Sequence, residues 1–130
     1  MKLGRRVYII GNGGSYANAA HMANDLLSVG IRAYTMDAAT LTAFANDYGY
    51  EYAFALWLGI VGEPDDTLIA LSGSGKSPNI LNAIKAAERI GMSVHKVFGA
   101  ELGLNMQQAE EAQIVLAHEL RRANVQTRAG

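Results

Sequence analysis

No cysteine occurs among the 130 residues, which excludes disulfide staples, thiolate metal sites and a cysteine nucleophile and leaves the redox compartment open. Neither sign of charge is in excess: 11 Lys and Arg stand against 12 Asp and Glu, for a formal net charge of −1, with no long block of either. That balance argues against disorder and against a nucleic-acid partner held by its phosphate charge. No apolar stretch approaches the roughly 18 residues that a membrane helix needs, so no membrane partner is expected. The one apolar run near the start, Val7 to Ile10, is broken at once by Gly11 and Asn12 and is too short for the hydrophobic region of a signal peptide. A cytoplasmic location is the resulting expectation. Internal repeats and low-complexity segments are absent as well.

What is present suits one folded domain. Half of the residues are apolar, and a chain of this length buries roughly two-thirds of its unfolded surface. Residues 1–123 read as that domain and 124–130 as a disordered tail. The β-branched run Val7 to Ile10 predicts a strand, and small and apolar residues at helical spacing predict a helix over Ser15 to Ser28, closed by Gly30. Ile31 to Met36 reads as a second strand, Thr40 to Asp47 as a short helix, and Tyr50 to Val61 as a helix apolar almost all round, which needs cover from a partner or from ordinary core packing. Thr67 to Leu71 is the clearest buried strand. Ser77 then stands at the cap of a helix from Pro78 to Ile90, with Gly91 just past its end. Ser93 to Phe98 completes the strands, Gly99 to Leu104 is a turn, and Asn105 with Gln108 forms a capping-box pattern for a helix to about Ala123. Strands alternating with helices imply an α/β fold: a doubly wound parallel sheet of four to five strands in a three-layer αβα, flavodoxin-like arrangement. In such sheets ligands sit beyond the carboxyl ends of the strands, which places the loops after Ile10 and after Leu71 at one rim.

Both loops carry near-motifs for phosphate. Gly11-Asn12-Gly13-Gly14-Ser15 follows a strand and opens a helix, yet the third glycine of a dinucleotide fingerprint falls on Tyr16, so no nucleotide cofactor is expected. Ser72-Gly73-Ser74-Gly75-Lys76-Ser77 ends like a P-loop, but Ala70 occupies the position of that motif's first glycine. A nucleotide hydrolase is therefore the weakest of the readings. The chemistry that remains is simpler: three hydroxyls, amides freed by two glycines and the positive end of a helix converge on one anion, as a phosphate monoester requires. A plain turn with a helix cap is the competing reading.

Taken in order, three stretches resemble the sugar isomerase (SIS) domains and, among them, the phosphoheptose isomerase family. They are Gly11 to Ser15 with Ala20 to Leu26, then Leu41 to Glu51, then Ser72 to Ser77. The resemblance implies phosphate held by Ser72, Gly73, Ser74 and Ser77 with Gly13, Gly14 and Ser15, and sugar hydroxyls met by Asn12 and Asp47. It further implies that Asp25 and His118 transfer the proton that interconverts sedoheptulose 7-phosphate and a heptose 7-phosphate through an enediol, a task suited to a carboxylate paired with an imidazole. A zinc ion, where the family holds one, falls to His21, Asp25, Glu110 and His118. His21 and Asp25 lie four apart on a helix, hence on one face. A phosphorylated sugar and a second copy of the chain, as a dimer or tetramer, are the implied partners.

Several positions depart from the family pattern. Asp25 stands where the isomerases carry glutamate, Glu110 replaces a glutamine, Gly73 a threonine and Lys76 an asparagine, and Val29 occupies the place of an arginine for which Arg32 is a substitute. The family also has helices before the first strand and a fifth strand before the last helix, whereas here the chain opens on the strand and passes from Phe98 almost directly to Asn105. These departures keep a second class open, a non-catalytic module that binds a phosphosugar or a protein.

Overall fold

A computed structural model describes the backbone of residues 1–129 and the side chains through Val125. The elements run β1 (Val7–Ile10), α1 (Gly14–Leu27), β2 (Ala33–Thr35), α2 (Ala38–Tyr48), α3 (Ala53–Val61), β3 (Thr67–Ser72), α4 (Pro78–Ile90), β4 (Ser93–Phe98) and α5 (Met106–Ala129). Short 3-10 turns at Tyr50–Tyr52 and Gly99–Leu102 join them. All strand pairs are parallel, in the order β2-β1-β3-β4. This is the three-layer αβα arrangement, with four strands among the described residues.

Successive side chains of a strand point to opposite faces, and both faces here are covered. Tyr8, Ile10, Leu68 and Ala70 pack with Phe54, Leu58, Ile80 and Ile84 from α3 and α4. Val7, Ile9, Ile69 and Leu71 pack with Met22 and Leu26 of α1 and with Ala117 and Leu120 of α5. Burial on both sides is why β1 and β3 read as continuous apolar runs instead of alternating ones. Each fully buried residue of the size of Phe54 or Leu58 contributes about 1.5–3 kcal/mol.

The helix boundaries follow local chemistry. Pro78 opens α4 and Gly91, left-handed at φ 93°, closes it. At the start of α5 both halves of the capping box form: the Gln108 amide donates to Asn105 Oδ1 at 2.8 Å and the Asn105 amide to Gln108 Oε1 at 3.0 Å.

Three expectations are corrected. The helix expected from Thr40 begins at Ala38, because the Asp37 carboxylate accepts from the Thr40 amide at 3.1 Å and caps it. The helix expected over Tyr50 to Val61 starts only at Ala53, since Gly49 at φ 101° ends α2 and a 3-10 turn follows. Its apolar surface is not covered all round: Ala53, Phe54 and Leu58 are buried, while Ile60 is 73% exposed and Leu56 lies open beside it. Finally, α5 runs on to Ala129 instead of ending near Ala123. Gly130, the last residue of the expected tail, lies outside the described residues.

Candidate functional site

The chain leaves β1 toward β2 on one side and returns to β3 on the other, so a crevice opens at the carboxyl ends of β1 and β3. Two glycine loops line it. A Cβ on Gly11 would lie 2.7 Å from the Ser15 carbonyl, so only glycine lets α1 fold back this closely onto β1. In the second loop Gly75 turns at φ 68°. Around this bend the Gly75 amide donates to Ser72 Oγ at 2.9 Å and the Lys76 amide to Ser74 Oγ at 3.1 Å. A hydroxyl that accepts an amide keeps its own O–H, so both serines remain able to donate. Ser77 occupies the N-cap of α4, but its side chain makes no cap bond. A cavity of about 50 Å³ results, lined by Asn12, Ser15, Ser72, Gly73, Ser74 and Ser77 together with Leu71 and with Met106 of α5, which packs against Gly73.

Six of the residues expected to bind substrate therefore meet around one small cavity at a helix N-terminus. The others do not. Asp47 is exposed on α2 and accepts from Asn46 Nδ2. Gly13, at φ 56°, precedes α1 without lining the cavity. Gly14 lies beneath the Glu110 carboxylate, whose oxygens would be 2.3 and 2.6 Å from a Cβ placed there.

Sequence reading missed the side chains that support this crevice. Asn12 and Asn79 exchange amide hydrogen bonds at 2.9 and 2.7 Å, and the Tyr50 hydroxyl donates to Asn12 Oδ1 at 2.7 Å. Gln113, fully buried, donates to Ser15 Oγ at 3.0 Å and accepts from Asn18 at 2.8 Å. Asn18 also donates to the Glu110 carbonyl at 3.0 Å. This chain of bonds closes the seam between α1 and α5 just past the cavity. A buried Asn or Gln signals such a network, but its partner is set only by tertiary packing.

Further along that seam lies a second cluster. His21 and Asp25 come from α1 and His118 from α5; the two Nε2 atoms are 3.2 Å apart, and Asp25 Oδ2 is 3.1 Å from one and 4.0 Å from the other. Asp25 is buried, and Oδ2 receives no hydrogen bond. Arg121, one turn beyond His118, reaches Asp25 Oδ1 at 3.9 Å. Three lone-pair donors thus converge, one of them a buried oxygen without a donor of its own. Ligands about 2.0–2.1 Å from a tetrahedral zinc stand roughly 3.4 Å from each other, and the spacings here suit a metal ion with N and O donors.

Glu110 does not belong to this group. The converging ligands are His21, Asp25 and His118; eight residues separate Glu110 from His118, about 12 Å along a helix, and its carboxylate lies over Gly14 instead.

The sequence profile of the SIS domain matches residues 1–99, which hold both glycine loops and the His21 and Asp25 pair. The chain belongs to the SIS-domain family. Its similarity to phosphoheptose isomerases is specific: that of Campylobacter concisus is 43% identical over 103 residues, that of Bradyrhizobium 39% over 114, and that of Thiobacillus denitrificans 36% over 121. These alignments cover 72%, 82% and 87% of this chain but 54%, 57% and 61% of the relatives, so the chain spans little more than half the length of the curated relatives it matches. Among solved structures, the phosphoheptose isomerase of Neisseria gonorrhoeae superposes with a TM-score of 0.83 at 28% identity, covering 91% of this SIS chain and 74% of that one. The enzyme from Francisella tularensis gives the same score and identity over 93% and 76%. The αβα fold expected from the residues is thus shared with SIS-domain proteins. No described helix is long and apolar enough to cross a membrane.

Proposed function

We propose that this chain is an aldose-ketose isomerase of phosphorylated sugars, interconverting sedoheptulose 7-phosphate and D-glycero-D-manno-heptose 7-phosphate. The observation that carries the reading is the placement of two unlike sites along one helix. Ser15, in the first turn of α1, lines the anion cradle, and His21 and Asp25 stand six and ten residues further on. At 1.5 Å per residue these offsets are about 9 and 15 Å along the axis. A seven-carbon chain with its ester oxygen spans on the order of 10 Å, at about 1.25 Å of advance per bond. A phosphate held in the cradle then brings the carbonyl end within reach of the cluster.

The phosphate takes hydrogen bonds from Ser72, Ser74 and Ser77 and from Ser15, and the field of α4 favours its charge. Asn12 and Asp47 meet the sugar hydroxyls in this reading, although Asp47 has to be brought in by substrate or by a second copy of the chain. Isomerisation moves one proton between neighbouring carbons: Asp25 removes it to leave the enediol, and His118 serves the oxygens as their protons exchange. His21, Asp25 and His118 could instead hold zinc, which would polarise those oxygens, Asp25 Oδ2 then being a ligand and not the base. No nucleotide is needed.

Gln113 and Asn18 lie in the seam between cradle and cluster, so the sugar runs over the outside of that seam. A homo-oligomer is part of the reading, and the open face of α3 supports one. A cytoplasmic location follows from the same reading, since a dianionic ester does not cross a bilayer unaided.

A binding module without turnover is the second reading. Met106 in the lining of a cavity of about 50 Å³ favours it, as does an acid one methylene shorter than the family's glutamate, since a misplacement of about 1 Å can lower a rate about 100-fold. Incubation with sedoheptulose 7-phosphate, with aldose formation followed over time, separates the two. Product formed by the wild type but not by Asp25→Asn supports the isomerase; tight binding with no product leaves the module.

A further inference from the structure

The two oxygens of Asp25 have different neighbours. Oδ2 faces the imidazoles of His21 and His118, at 3.1 and 4.0 Å, and receives no hydrogen bond. Oδ1 faces the guanidinium of Arg121 at 3.9 Å. The arrangement is paired across the seam: α1 supplies His21 and Asp25, one turn apart, and α5 supplies His118 and Arg121, one turn apart. The Asp25 side chain is 5% exposed, so water does little to offset its charge, whereas the Arg121 side chain is 53% exposed and keeps most of its own hydration. A guanidinium, charged at every working pH, balances the charge of a buried carboxylate. Among the described residues Arg121 is the only lysine or arginine paired with Asp25.

We propose that Arg121 is a positioning residue: facing Oδ1 of Asp25 at 3.9 Å, its charge draws that oxygen to itself, so that the carboxylate turns Oδ2 alone toward whatever His21 and His118 hold. The inference rests on the metal reading of this cluster. An aspartate free on both oxygens can clasp a cation with the pair of them, which raises the coordination number and uses up the position a substrate oxygen needs. With Oδ1 engaged, Asp25 is restricted to one oxygen, and three protein ligands leave a tetrahedral ion one open position. Position 121 thus sets the denticity of a ligand on another helix without touching the ion.

Cobalt(II) is a suitable probe because its visible absorption weakens as coordination rises above four. The full chain is titrated with cobalt(II), as wild type and as Arg121→Met, Arg121→Lys and Asp25→Asn, with circular dichroism to confirm that each stays folded. Arg121→Met is expected to lower the visible absorptivity of the saturated protein about threefold, and Arg121→Lys to restore about half of the loss. In the Asp25→Asn background Arg121→Met should change neither absorptivity nor affinity, since no carboxylate remains to be steered. Wild-type absorption retained in a folded Arg121→Met protein overturns the assignment of Arg121 while leaving the metal site standing. A wild type that takes up no cobalt at all overturns the metal reading, and the role of Arg121 with it. Arg121→Gln, smaller and still polar, repeats the comparison should the methionine variant not fold.

Discussion

At the crevice between β1 and β3, polar groups close on one another: serine oxygens accept loop amides, Asn12 and Asn79 exchange bonds, and Gln113 ties Ser15 to α5. At the far end of the same seam, His21, Asp25 and His118 converge and leave a buried oxygen without a donor. The difference separates two ways of preparing a site. The cradle is held in shape by its internal bonds and still has O–H groups to offer an anion. The cluster is held in shape by α1–α5 packing and keeps one buried carboxylate oxygen, Asp25 Oδ2, without a hydrogen-bond donor.

If that contrast is right, the two regions fail separately. The largest effect is expected from Asp25→Asn and His118→Ala, which should lower turnover of sedoheptulose 7-phosphate by about 100-fold or more while leaving phosphate affinity unchanged by calorimetry. Equal loss of both would erase the distinction. Next, Ser74→Ala with Ser77→Ala removes two hydrogen bonds to a charged ester, each worth about 1.5–3 kcal/mol. Sugar-phosphate binding should weaken by at least about 100-fold, with cobalt uptake at the cluster unaffected; a matching loss of cobalt uptake would show that the regions are coupled.

A smaller change tests the border between them. The Glu110 carboxylate lies over Gly14, beside the start of α1, where a negative charge competes with any anion in the cradle. Glu110→Gln is expected to tighten inorganic phosphate binding by about two- to tenfold, a gain that should shrink as salt is added. No gain at low salt would place the carboxylate outside the reach of the cradle.

The smallest effect concerns stability at high pH. Burial raises the Tyr8 hydroxyl, with Asp66 adding to it, and burial followed by Asp37 raises that of Tyr16; the two hydroxyls donate to the Val61 and Met36 carbonyls. A phenol raised in the folded state favours folding below its unfolded value near 10. That contribution is lost as pH climbs through the folded value. Melting temperature should fall above about pH 10, and Tyr16→Phe, which fixes the cradle end of α1 in the un-ionised form, should flatten part of the decline.

Much of this was legible where the signal is local. Both ends of α4 lie where Pro78 and Gly91 put them, β4 spans the expected Ser93 to Phe98, and the Asn105 and Gln108 capping box forms. The serine loop could be read because its hydroxyls, glycines and following helix are contiguous. Gln113 and Ser15 are 98 positions apart, however, and Asn12 and Tyr50 are 38 apart, so no window of sequence holds either pair. Arg121 was overlooked for the same reason: its partner is on another helix. Glu110 came from the resemblance alone, and its offset of eight residues from His118 required both side chains to stretch inward or the pairs to come from different subunits; within this chain its carboxylate lies over Gly14. The outer face of α3 could be read only as a choice between a partner surface and ordinary core packing, because an all-apolar helix reads the same whether covered or bare.

Among the described residues β4 is the last strand of the sheet and pairs with β3 on one side only. Its outer edge offers alternate amides and carbonyls to any extended chain that drifts past, and such an edge is where unintended strand pairing starts. Lys96, exposed midway along it, places a charge where an incoming strand would have to lie flat. Its replacement by valine should leave both sites untouched yet increase light scattering on concentration.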